Sequence, residues 1–71
     1  MKLDKAILAQ RLDKAIALSG KTPFEISKEA DCTWDSIRSW LKGKYYPNRG
    51  KLLRLAKVLG VSENWLRGKD K

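Results

Sequence analysis

With 71 residues the chain has room for one small domain, and sixteen Lys and Arg against eight Asp and Glu leave it at a net charge of +8. One cysteine and no histidine exclude an internal disulfide, a metal-ligand cluster and a Cys–His nucleophile pair, and they suit a reducing, cytoplasmic setting. The carboxylates are scattered and mostly placed as helix-end charges, so neither catalysis nor a cofactor is expected.

Taken in chain order, the pattern predicts five helices and no strand. Helix 1 runs from about Asp4 to Leu18, with Leu8, Leu12, Ala15 and Ile16 at helical spacing, and stops at Ser19-Gly20. Its first apolar run, Ala6 to Ala9, is too short for a signal peptide. Helix 2 opens on Thr22-Pro23-Phe24-Glu25, a capping box with proline at the first helical position, where a missing N–H costs nothing. It runs to about Ala30, burying Ile26 and Ala30, and the chain turns at Asp31-Cys32. Thr33 caps helix 3, about Trp34 to Leu41, with Asp35 in a first turn where the helix dipole favours an acid. Two short helices joined by so tight a turn form a helix-turn-helix, whose second helix enters the DNA major groove.

Helix 3 ends at Lys42-Gly43, and a loop, Lys44-Tyr45-Tyr46-Pro47, leads to Asn48 as the cap of helix 4. Helix 4 spans about Arg49 to Leu59, with Leu52, Leu55, Ala56 and Leu59 inward and Gly60 as its stop. Arg54 and Lys57 interrupt its apolar run, so no membrane span is expected. Ser62 caps a last helix, Glu63 to Arg67, and Gly68 to Lys71 reads as a frayed polar end. Without linker or repeat, residues 1–71 read as one all-α domain.

Charge is distributed unevenly along this framework. Residues 1–35 hold six bases and six acids, whereas residues 36–71 hold ten bases and two acids. From Ser36 to Ser62 there is no acid, while Arg38, Lys42, Lys44, Arg49, Lys51, Arg54 and Lys57 all fall in that stretch. A field of one sign at the second helix and the loop behind it draws polyanions.

The segment from Gly20 to Asp70 resembles the lambda-repressor-like helix-turn-helix family, which includes the XRE proteins and the phage CI and Cro repressors. The residues that carry the resemblance are Thr22-Pro23-Phe24-Glu25-Ile26-Ser27, Ile37 through Lys44, Pro47, and Leu52 through Leu66. The resemblance implies a five-helix domain that binds double-stranded operator DNA, as a symmetric homodimer, and represses transcription. Two positions depart from the family pattern: Ser27 stands where a small Ala is usual, and Asp31 where Gly is usual in the turn. A buried serine hydroxyl can bond the carbonyl one turn back, and Asp tolerates the left-handed conformation, so the fold should survive both.

Helical spacing gives helix 3 two faces. Ile37, Trp40 and Leu41 share a stripe that should pack inward, while Trp34, Asp35, Arg38, Ser39 and Lys42 lie opposite. The resemblance places Trp34, Asp35 and Ser39 at base edges; Arg38 can reach guanine or stay solvated. Trp34 can touch a thymine methyl, cover sugar, or fold back onto Pro23 and Phe24 as core. Expected near phosphates are Thr22, Thr33, Ser36, Lys42, Lys44, Tyr45, Asn48, Arg49 and Lys51. One of Tyr45 and Tyr46 should instead cover helix 3 or 4. Cys32 reads as a small buried hydrophobe. Val61, Trp65 and Leu66 form the apolar set expected at a dimer contact. An antitoxin or restriction-controller regulator would use the same fold, and a protein- or RNA-binding adaptor is the reading from a different class.

Overall fold

The computed structural model describes residues 4–69, and over them the chain forms five helices and no strand. The termini, Met1 to Leu3 with Asp70 and Lys71, lie outside the described residues. The helices are α1 (Lys5–Ser19), α2 (Pro23–Glu29), α3 (Trp34–Leu41), α4 (Arg49–Leu59) and α5 (Glu63–Leu66). Each starts on a side chain that accepts a backbone N–H three residues on: Asp4, Thr22, Thr33, Asn48 and Ser62 in turn. Capping satisfies donors that helix geometry leaves orphaned, which is why helices as short as α2 and α5 have defined beginnings. Asp4 is therefore the cap of α1 and not its first residue, while Ala30 and Arg67 are C-caps rather than helical positions.

One core holds the bundle together. Leu8, Leu12 and Ala15 from α1 meet Ile26 and Ala30 at α2, Ile37 and Trp40 from α3, and Leu52, Leu55, Ala56 and Leu59 from α4. Leu66 of α5 completes it with no exposed surface. The inward face expected of each helix is thus the face observed, except that Ile16 and Leu41 are only partly buried. Helix α1 packs against α3, α4 and α5, and α2 packs against α3 and α4, so α3 is held on its inner side by two neighbours.

Ser27 and Asp31 settle into the α2–α3 turn as their chemistry allows. The buried Ser27 hydroxyl donates to the Phe24 carbonyl at 2.7 Å. Asp31 adopts φ +56°, the only non-glycine among the described residues at positive φ. The Cys32 N–H then donates to the Ser27 carbonyl at 2.9 Å, closing the turn.

The C-terminal end departs from expectation. Gly68, at φ +84°, and Lys69 close α5 through bonds to the carbonyls of Trp65 (3.1 Å) and Asn64 (2.8 Å). A Cβ at Gly68 would stand 2.5 Å from Ile7 Cγ2, so this glycine lets the backbone pack against α1. The chain is fixed through Lys69 rather than fraying from Gly68.

Candidate nucleic-acid interface

Helix α3 begins with two reciprocal contacts at its cap. The Thr33 hydroxyl accepts the Ser36 N–H at 3.1 Å and donates to the Ser36 hydroxyl at 2.9 Å. Because Ile37 and Trp40 are buried, the phase of the helix is locked, and the opposite side must face solvent. On that side Asp35, Arg38, Ser39 and Lys42, joined by Lys44 from the following turn, line a shallow open depression of ≈ 220 Å³. Neither Arg38 nor Lys42 makes an ion pair among the described residues, and Asp35 pairs with neither. A cationic concavity with one acid at its edge and no internal neutralisation fits an anionic ligand that carries a pattern of donors and acceptors.

Trp34 opens this face and is 40% exposed, while Phe24 is 65% exposed. Trp34 therefore does not fold into the core with Phe24, because the two aromatics that would bury each other both stay wet. Instead the Lys28 ammonium lies 5.2 Å from the Phe24 ring, close enough for a cation–π contact.

Around α3, the expected phosphate contacts divide by what their side chains already do. Lys44 and Tyr45 are exposed, with the ammonium 5.8 Å from the phenol ring, while Tyr46 is the tyrosine that packs on the core. Thr22 accepts the Glu25 N–H at 3.1 Å as the Glu25 carboxylate accepts the Thr22 N–H at 2.8 Å. The Thr22 N–H, and after it the Thr22 hydroxyl, lower the pKa of the Glu25 carboxyl from its ordinary value. Asn48 caps α4 through its side-chain oxygen, which leaves its amide N–H groups out of the cap. Arg49 is exposed, with Nε 4.0 Å from Glu63 Oε2.

Two of the expected site residues are engaged within the fold. Lys51 donates its ammonium to the Asp31 carbonyl and so braces the left-handed turn of the helix-turn-helix. Leu66 is core, without exposed surface to offer a second copy. Val61 and Trp65 remain partly exposed, although Arg11 covers Trp65, its guanidinium 4.9 Å from the ring centroid and its Nη1 donating to the Trp65 carbonyl at 3.1 Å. Cys32 is partly buried against the core, and burial pushes its thiol pKa up.

No reasoning from local pattern would have found the side chains that tie distant segments. Lys21 donates to Glu29 at 2.6 Å and to the Val58 carbonyl at 3.3 Å, fastening the α1–α2 connection to the end of α4. Among the described residues no group of acids and Cys could hold a metal, and no helix is long and apolar enough to cross a membrane.

No family model matches the chain. It is 39% identical over 44 residues to an uncharacterized HTH-type transcriptional regulator of Haemophilus influenzae, a match covering 62% of this chain and 18% of that protein. Among solved structures it is similar to the solution structure of the SOS-response transcriptional repressor LexA from Eubacterium rectale. That match has a TM-score of 0.86 and 31% identity, over 99% of this chain and 74% of the other. Both relatives carry the name of a transcriptional regulator or repressor.

Proposed function

We propose that this chain, which belongs to the helix-turn-helix transcriptional regulators, binds double-stranded operator DNA in the cytoplasm as a repressor of the phage CI and Cro type. The observation that carries this reading is the depression on α3, where Arg38 and Lys42 stand without internal counterions beside Asp35, Ser39 and Lys44. Phosphate neutralisation by Lys and Arg supplies the affinity, and the α3 face supplies the choice of sequence. Arg38 takes guanine through its bidentate fork, Asp35 accepts from cytosine N4, Trp34 lies on a thymine methyl and Ser39 bonds a neighbouring base edge. Thr22, Thr33, Ser36, Lys42, Lys44, Tyr45, Asn48 and Arg49 surround that strip as phosphate contacts. Neither cofactor nor metal enters this scheme, and residues 1–71 act as one binding unit.

The molecule measures 31 Å along its longest axis. Successive major-groove faces on one side of a duplex lie about 34 Å apart. Reading a palindrome therefore takes two copies, with the outer part of Trp65 at the two-fold contact.

Selection of bound sites from random duplex DNA, followed by a salt titration, tests the reading. The expected result is a palindrome with half-sites one turn apart and an affinity falling steeply with salt, by a log–log slope of about −0.9 per phosphate neutralised. Failure to enrich any duplex, or an affinity indifferent to salt, would overturn it.

A further inference from the structure

A concavity larger than the α3 depression lies elsewhere on the molecule. A groove of ≈ 610 Å³ runs between α4 and α5, lined by Leu53, Arg54, Ala56, Lys57, Val61 and Glu63, and shares no residue with the α3 depression. Its floor is apolar. Leu53 is 44% exposed, although α4 already buries Leu52, Leu55, Ala56 and Leu59 and needs no further apolar residue to hold its place. Its rim is cationic, because neither the Arg54 nor the Lys57 side chain has an ion pair or hydrogen bond among the described residues. The groove's one acid is already engaged: Glu63 lies 3.6 Å from Arg67 and 4.0 Å from Arg49.

These features decide what fits. A phosphate backbone has no use for an apolar floor. A second copy set symmetrically in the groove would bring the same two cations against themselves, with no acid left to answer them, in a chain already at +8. A ligand with apolar side chains on one face and carboxylates beside them satisfies both floor and rim. We propose that the α4–α5 groove is a docking site for an acidic amphipathic helix of a separate protein. The helix inserts aliphatic side chains over Leu53, Ala56 and Val61 and places carboxylates on Arg54 and Lys57. This inference goes beyond DNA binding and does not depend on it.

The test uses two synthetic amphipathic helices with the same leucine face, one carrying Glu and the other Lys on its polar face, titrated into the intact chain by NMR. The Glu peptide should move the Leu53 and Val61 signals and leave those of Trp34, Arg38 and Ser39 in place; the Lys peptide should move neither set. Arg54→Gln with Lys57→Gln should weaken the Glu peptide by roughly tenfold, the effect of losing two exposed charge pairs. Leu53→Asp, at a solvent-exposed position, should abolish the contact while the amide spectrum stays folded. The proposal is overturned if neither peptide perturbs Leu53 and Val61, or if both do so equally. It also fails if the Glu peptide maps to α3 as a polyanion, or if these signals move with protein concentration alone, the mark of a second copy in the groove. None of these outcomes alters the operator selection, so the two readings fail separately.

Discussion

On the α3 side, Arg38 and Lys42 stand exposed with no counterion among the described residues, whereas several other cations are spent on the fold. Arg11 spans 54 positions to reach the Trp65 carbonyl and covers its ring. Lys21 joins Glu29 to Val58, Lys51 holds Asp31, and Arg67 lies on Glu63. The difference teaches that a net charge of +8 is not by itself a nucleic-acid footprint. In a domain this small, burial of apolar surface leaves a narrow margin, and long cationic side chains close gaps between helices by donating to carbonyls. Only the cations that have no such task are available to a ligand, among them Arg38 and Lys42 beside α3 and Arg54 and Lys57 at the groove of α4.

The largest effects expected from this contrast are opposite in kind. Arg11→Ala should cost about 1.5–3 kcal/mol of stability, the range for a hydrogen bond to a charged group, and leave base preference unchanged once the protein is folded. Arg38→Ala should stay within about 0.5 kcal/mol of the parent in stability while losing about 1–3 kcal/mol of discrimination at one base pair per half-site. Thermal melts beside binding to single-base operator variants read both. A base preference that shifts with Arg11, or a melt that shifts as far with Arg38, would erase the distinction.

A smaller effect separates Lys51 from Lys44. Loss of the bond to the Asp31 carbonyl should make Lys51→Ala less stable by about 1 kcal/mol, with the salt slope of DNA binding preserved. Lys44→Ala should do the reverse, flattening the slope by about 0.9 with little change in melting. If Lys51→Ala flattens the slope equally, its ammonium leaves Asp31 when DNA arrives.

This division also marks how much could be read from the sequence. Thr22, Thr33, Asn48 and Ser62 were legible as caps because a cap acts on the N–H three residues on, so residue type and spacing suffice. Helical period placed Ile37 and Trp40 inward and Asp35, Arg38, Ser39 and Lys42 outward, which is most of the candidate site. Ties across the fold were not legible, since the contacts of Arg11 with Trp65 and Lys51 with Asp31 join side chains to carbonyls far along the chain and leave no periodic trace. From the sequence Leu66 reads as a dimer contact because four residues of helix do not reveal which side will lie on α1. Trp34 and Phe24 were open for a similar reason, for mutual burial depends on the angle between α2 and α3, which the turn at Asp31 sets.

The smallest expected effects come from the acidic version of the same contrast. Glu25 and Asp35 both sit in the first turn of a helix, but Glu25 is tied to Thr22 in a capping box and Asp35 has no ion pair among the described residues. Since the folded state lowers the Glu25 pKa, its contribution is complete above the pKa of the unfolded chain and disappears as pH falls through the lowered folded value. Glu25→Gln should therefore melt lower than the parent at neutral pH and converge with it in acid, with no effect on operator preference. Asp35→Ala should lose only about 0.3–1 kcal/mol of stability, the dipole contribution of an exposed acid. Its larger signature lies in binding: non-specific duplexes should bind more tightly, because a negative charge has left a phosphate-facing surface. If Asp35 accepts from cytosine, discrimination should also drop by about 1–3 kcal/mol at a single base pair of each half-site. Unchanged preference across all single-base variants would confine Asp35 to the helix dipole and leave Arg38 as the charged base reader on this face.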